Sequence, residues 1–388
     1  MQKDRLRKEN GMKREKKWIL VLLVAVALLA MGGIGWKLLR RDMPSVPLLF
    51  YTREGQYHVY DKKAGDWILC EDEDWTEYVI EVESQFYRIG KVSVDVDGHG
   101  GQMVVFADKN FRPFKAGKRD PEKTVYRLDS RTAYVVVAVS RDEESRLTLR
   151  GILTRAGMKE KTKVEASMPT GAFAGKYMSV LGDSISACEN YIPQGYLTFY
   201  PHGDVGLPDI WWYRLAKQTG MYICSNNSCG SSGVTRLEGG GLTPEMAASC
   251  GRGARLHQAG QRPDVIFVLM GGNDILSGAS RVDIDRSYRS MLRDITATYP
   301  GAEIYLCMYH PCRLDTVDPE GWLRQEIQEV ASDFGVSVLD LGACGITPEN
   351  QTEYLYESEG GQMGVHPNQA GMALIADCME RQLSERKK

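Results

Sequence analysis

The chain has 388 residues, 43% hydrophobic and 26% charged, which is the composition of a globular protein with room for two domains and a tail. A net charge of −3 is close to neutral for this size and carries no nucleic-acid footprint, so no nucleic-acid partner is expected. The few strong charge asymmetries sit at the N-terminus.

Residues 1–17 carry eight Lys or Arg against three acids and read as a basic cytoplasmic tail. The nineteen residues 18–36 then hold no charge and begin and end with Trp18 and Trp36. At about 1.5 Å rise per residue such a helix matches a hydrocarbon core, with the tryptophans at its two interfaces. The expectation is a transmembrane signal anchor over 18–36, the N-terminus cytoplasmic and everything after Arg41 extracytoplasmic. Cleavage near Ala27 or Ala30, which would release the chain, is the alternative.

Over 48–164 short β-like runs alternate with turns, at 78–82, 91–96, 102–106, 133–139 and 146–153. This predicts a β-sandwich of jelly-roll type. Asp97-Gly98 reads as a hairpin turn. It does not open a calcium loop, because Phe106 stands where a bidentate Glu is required. Residues 165–176, with Pro169, Gly171 and Gly175, form the expected linker.

From 175 to 388 the rhythm changes to strand–helix alternation, which predicts a parallel sheet covered on both faces. Strands are expected at 177–181, 221–224, 265–270, 303–308 and 336–341, and helices at 209–219, 283–299, 319–334 and 367–383. The nine cysteines are odd in number and include no C-x-x-C pair, which argues against zinc and redox sites. Most are expected to be buried thiols, with one or two bridges left open.

Four blocks fall just past strand ends or at helix starts, where ligands bind in such sheets. In Gly182-Asp183-Ser184-Ile185-Ser186, a turn presents the Ser184 hydroxyl. Asn226-Asn227-Ser228-Cys229-Gly230-Ser231-Ser232-Gly233 is a Gly- and Ser-rich turn with backbone N–H groups to offer. In Gly271-Gly272-Asn273-Asp274, the Asn273 amide can donate to an oxyanion. His366-Pro367-Asn368 places an imidazole ahead of the last helix. A nucleophile, a base and oxyanion donors are the equipment of acyl transfer at an ester. Cys188 would need a base of its own as a nucleophile. The aromatic run Tyr191, Tyr196, Phe199 and Tyr200 suits either a sugar face or packing on Trp211 and Trp212.

These blocks resemble those of the SGNH, or GDSL-type, hydrolase family over residues 175–385. The resemblance implies a flavodoxin-like three-layer α/β/α domain with Ser184 as nucleophile and His366 as general base. It also implies an oxyanion hole from Asn273 and a backbone N–H at Gly230 or Gly233. The family's usual glycine offset from Asn226 falls on Ser231. The family also usually places Asp three residues before the His, where this chain has Met363; Glu357 and Glu359 are the nearby acids.

The expected function is a membrane-anchored, extracytoplasmic serine esterase acting on short acyl esters, O-acetyl first, of carbohydrate. It needs no metal and no organic cofactor. The alternatives are a glycan O-acyltransferase and a glycan-binding surface protein with weakened catalysis.

Overall fold

A computed structural model describes residues 43–96, 103–117, 124–140, 147–167, 172–258, 260–358 and 363–386. The expected tail and anchor, the Asp97-Gly98 turn and Glu359 lie outside these residues. Among the described residues no helix is long and apolar enough to cross a membrane. The described residues from Ser45 onward belong to one compact unit.

The first half is all-antiparallel β. Its strands are β1 (Ser45–Pro47), β2 (Tyr51–Asp61), β3 (Asp66–Glu81), β4 (Ile89–Val96), β5 (Met103–Ala107), β6 (Pro113–Ala116), β7 (Val125–Arg127), β8 (Tyr134–Ser140) and β9 (Leu147–Leu153). They form two sheets, β1-β9-β4-β7 and β2-β3-β8-β5-β6, the strand order of a jelly roll with β2 added at one edge. Alternation drives the packing: Val92, Val94 and Val96 of β4 face Val135, Val137 and Val139 of β8 in the shared core.

A helix, α1 (Arg155–Ser167), follows β9 where strand-like sequence and the start of a linker were expected. The Thr154 hydroxyl accepts from the Gly157 N–H at 3.1 Å and caps its start. Its face is mostly polar, with Met158 exposed, so no apolar stripe announced it.

The second half is α/β. Its central strands are β10 (Tyr177–Gly182), β11 (Tyr222–Asn226), β12 (Val265–Leu269), β13 (Glu303–Met308) and β14 (Ser337–Asp340), all parallel in the order β11-β10-β12-β13-β14. All five residues of β12 are buried, which requires cover on both faces. The helices are α2 (Trp211–Thr219), α3 (Gly272–Leu276), α4 (Arg281–Thr298), α5 (Trp322–Phe334) and α6 (Gln369–Arg386). Helix α2 packs on α6, and α4 on α5. A two-stranded ribbon, β15 (Leu355–Glu357) and β16 (Met363–Pro367), precedes α6. The register sets Gly182 of β10 beside Leu269 of β12, and Val180 beside Asn226 of β11, so three of the four blocks leave adjacent strand ends.

Candidate active site

Strand β10 ends in a tight turn. A Cβ on Gly182 would come within 2.7 Å of the Ser186 side chain and 2.9 Å of Ser228 Oγ, so only glycine fits. Asp183 Oδ1 accepts from the Ile185 N–H at 3.0 Å and its carbonyl from the Ser186 N–H at 3.1 Å. Asp183 Oδ2 accepts from the Tyr309 hydroxyl at 2.5 Å, which itself accepts from the Gly272 N–H at 3.0 Å. Burial pushes the Asp183 carboxyl up to about 6, against the pull of Tyr309 and Ile185. The indoles of Trp211 and Trp212 and the Asn226 amide all donate to Ser186, at 3.0–3.1 Å. The turn is thus fastened from three sides, and Ser184 stands on it 8% exposed.

His366 arrives on β16, and its Nε2 lies 2.7 Å from Ser184 Oγ. That is the reach of a general base for the hydroxyl proton. Burial, with smaller contributions from His202 and His310, holds the imidazole at about 4, so it is neutral at pH 7. The next residue is anchored by the Tyr200 hydroxyl, which donates to the Pro367 carbonyl at 2.7 Å. Glu357 is exposed on β15 opposite Met363. Among the described residues none accepts a hydrogen bond from His366 Nδ1. The ring instead lies flat on Phe199, centroids 3.6 Å apart and planes 6° apart. Of the aromatic run, Tyr191 packs on Trp212 at 6.4 Å, while Phe199 belongs to the site.

Asn273 sits in the first turn of α3 with its amide donating to the Ser232 carbonyl at 3.0 Å. A carbonyl partner fixes that atom as Nδ2, and its second hydrogen remains to be donated. The expected glycine donors fare differently. The Gly230 N–H is committed to the Leu197 carbonyl at 2.6 Å, so this N–H is not free for an oxyanion. Gly233 is a close approach: a Cβ there would fall 2.5–2.6 Å from the Asp274 carboxylate. That carboxylate accepts from Val234 and Thr235 backbone N–H groups at 2.8 and 2.9 Å, tying the second block to the third. Ser231 takes the left-handed conformation, φ 59°, in the turn closed by Ser232 N–H to the Cys229 carbonyl at 3.3 Å. Among the described residues its N–H has no acceptor. The family's glycine offset was the signal for this position, and the side chain hid it.

Arg252 had no sequence signal. Fully buried, it directs all five N–H groups to acceptors: Asn227 Oδ1 at 3.2 Å, Ser232 Oγ at 2.9 Å, and the carbonyls of Met246, Gly182 and Asn227 at 2.7, 2.8 and 2.5 Å. Burial lowers the guanidinium to about 10. It locks the first block to the second. Cys188 is buried, and its thiol is pushed up to about 12, which disqualifies it as a nucleophile. All nine cysteines are free. Among the described residues no group of three His, Cys, Asp or Glu is placed to hold a metal.

A hydroxyl bonded to a neutral imidazole, beside an amide and a free N–H, is an arrangement for acyl transfer. No protein of curated function matches the chain. Among solved structures, a protein assigned as a GDSL-like lipase from Bacteroides ovatus is 19% identical, covering 55% of this chain and 100% of its own, at a TM-score of 0.43. A family two carbohydrate esterase from Clostridium thermocellum, in complex with cellohexaose, is 15% identical over 86% of this chain and 98% of its own, TM-score 0.42. A carbohydrate esterase family 2 enzyme with a carbohydrate binding domain, from Corynascus thermopiles, is 16% identical over 80% and 93%, TM-score 0.39. The GDSL-like lipase/acylhydrolase family matches residues 180–374, half of this chain, and the chain belongs to that family.

Proposed function

We propose that this hydrolase is a serine esterase that removes short acyl groups, acetyl foremost, from carbohydrate, with Ser184 and His366 as its catalytic pair. Ser184 Oγ attacks the ester carbonyl while its proton passes to His366 Nε2. The oxyanion is held by Asn273 Nδ2–H and the Ser231 N–H, and its collapse expels the alcohol, which takes the proton back from Nε2. Water, deprotonated by the same imidazole, then attacks the acyl-Ser184 ester and frees the acid. The observation that carries this reading is the 2.7 Å contact between Nε2 and Oγ.

Support for carbohydrate comes from a cleft of about 410 Å³ between β2 and the 190–196 loop. Tyr191, Gln194, Tyr196, Asn227, Arg255 and His257 line it, with the Tyr196 ring for a sugar face and the Gln194 amide and Arg255 guanidinium as donors for hydroxyls. Tyr196 and Asn227 lie in the same loops as Phe199 and Ser231. The uncharged 18–36 segment behind its basic flank supports anchorage with the hydrolase outside the cytoplasm.

The test is hydrolysis of a chromogenic acetate ester and of acetylated oligosaccharides by the full-length protein and by Ser184→Ala. Turnover that vanishes in the variant is expected; equal rates in both would remove Ser184 from the mechanism. Cleavage of the small ester with no release of acetate from any oligosaccharide would remove the carbohydrate substrate alone. Protease added to intact cells should digest the hydrolase domain, and full protection would place it inside.

A further inference from the structure

The general base of a serine hydrolase needs two things from its surroundings. Its ring must be held so that Nε2 faces the nucleophile, and the imidazolium that forms must be steadied. Position 363 carries Met, Glu357 faces solvent, and among the described residues nothing accepts from Nδ1. The ring is nevertheless held. Phe199 lies 3.6 Å from it at 6°, and Tyr200 meets it edge-on at 6.5 Å and 81°.

The parallel stack is the informative contact. Two neutral rings favour offset or edge-to-face arrangements, because their faces carry like charge. When one ring becomes a cation, the negative face of the other attracts it. The stack therefore strengthens at the moment His366 takes the proton from Ser184. Phe199 is also well fixed, packed edge-on against Tyr200 at 4.9 Å. Its loop is pinned at Leu197, which accepts from the Gly230 N–H at 2.6 Å, and at Thr198, whose hydroxyl donates to the Tyr200 carbonyl at 2.6 Å.

The other titratable groups around the imidazole are Ser184 on the nucleophile turn, His202 and Tyr200 on the Phe199 loop, His310 beyond β13, and Tyr356 on β15. Tyr356 gives its hydroxyl to the Asp204 carboxylate, and His310 Nε2 donates to the Val365 carbonyl at 3.1 Å. His202 and His310 both disfavour a charged His366. Among these contacts the Phe199 face is the nearest aromatic surface to favour the cation, at 3.6 Å against 6.5 Å for Tyr200.

We propose that Phe199 is the positioning residue of His366: its face sets the imidazole plane and steadies the imidazolium, the task a carboxylate would perform from position 363. The proposal rests on the Ser184–His366 reading. A cation–aromatic contact of this kind corresponds to a rate effect of about 5- to 30-fold.

The experiment compares Phe199→Leu, Phe199→Tyr and Ser184→Ala in the full-length protein, by kcat and KM on a short acetate ester, with thermal melts to establish folding. Phe199→Leu should lower kcat by about 5- to 30-fold with KM changed less than about 2-fold, and Phe199→Tyr, which keeps the face, should restore it. Unchanged kcat in Phe199→Leu beside a dead Ser184→Ala overturns the proposal and leaves the esterase reading standing. An effect confined to KM, or an equal loss in Phe199→Tyr, also overturns it. Activity surviving in Ser184→Ala takes both readings down.

Discussion

The proposed mechanism gives single atoms of this site separable tasks, and each predicts a different kinetic signature. Asn273 Nδ2 is preset by its bond to the Ser232 carbonyl, and in the proposed mechanism it would meet substrate only where charge develops on the ester oxygen. Asn273→Ala should therefore lower kcat by about 10²- to 10³-fold with little change in KM; a loss in KM alone would mean the amide binds ground-state substrate. In the same mechanism Ser231 would act through its N–H, so Ser231→Gly, which suits a φ of 59°, should keep activity and stability, while Ser231→Val should lose both. The pH behaviour follows from burial. His366 titrates near 4 when folded and about 6.5 when unfolded, so the base stays competent from neutral pH down to about 5, and kcat should be flat over that range. Between those two values the unfolded chain binds the proton first, so the stability from His366 and from His310, also lowered to about 4, is full above 6.5 and is lost as pH falls. Asp183, raised from 3.8 to about 6, runs the other way, with stability present below 3.8 and lost as pH rises through 6. Glu326, pushed by burial up to about 7, and Asp274, also raised by burial, run the same way as Asp183, so the histidine contribution is read by comparing the melting temperatures of parent and variant at pH 6.5 and 4.5. His310→Gln, which retains a donor for Val365, should raise the melting temperature at pH 4.5 relative to that at pH 6.5, compared with the parent, and an unchanged difference would remove His310 from the account.

Among the elements, loops do the assembling, and Arg252 is the clearest case. It lies in the short 3₁₀ turn Arg252–Ala254 and reaches the end of β10 and the 227–232 loop together. Removing it would take a donor from five buried acceptors, of which the Gly182 carbonyl keeps the Cys229 N–H at 3.0 Å, and this costs about 3–5 kcal/mol by analogy with broken buried ionic networks. Arg252→Met should lower unfolding free energy by that order in urea titrations and reduce kcat as the two blocks part. Arg252→Lys should not rescue it, since three tetrahedral donors cannot serve five planar positions; full rescue would show that charge alone suffices. No local pattern singles out this arginine, because four of its five acceptors are 20 to 70 residues away. The parallel strands were legible for the opposite reason: buried runs such as Val265–Leu269 declare themselves without context. So were Ser184 and His366, which each sit at the end of a patterned element. The long β2–β3 ribbon was not, since Glu71, Asp72, Glu73 and Asp74 break the apolar alternation there while the cross-strand hydrogen bonds persist around them.

At the scale of the whole described unit, the sandwich and the hydrolase share a core, and this bears on whether the first half is a detachable accessory. Phe86, just past β3, packs edge-on against Tyr213 of α2 at 4.8 Å, and the Tyr213 hydroxyl donates to the Ser84 carbonyl at 2.8 Å. Tyr51 of β2 meets Tyr191 at 5.7 Å, and the Gln194 amide oxygen accepts from the Glu54 N–H at 3.1 Å. Tyr191 in turn packs on Trp212, whose indole donates to the Ser186 carbonyl at 3.0 Å, two residues from the nucleophile. Buried side chains run without a break from Val92 of the sandwich to Phe267 of the parallel sheet. A shared core couples the melting of its two sides, as in a single cooperative domain. The full chain should therefore show one calorimetric transition, with esterase activity lost at the same midpoint as near-ultraviolet circular dichroism. Phe86→Ala opens a cavity at the seam, and a loss of about 3–5 kcal/mol is expected for a buried Phe. That loss should move the single transition as a whole and carry the activity midpoint with it, although Phe86 lies in the sandwich half. Two resolved transitions, with activity following only the later one, would make the sandwich an independent module and would leave the Tyr51–Tyr191–Trp212 line as packing without consequence for Ser184.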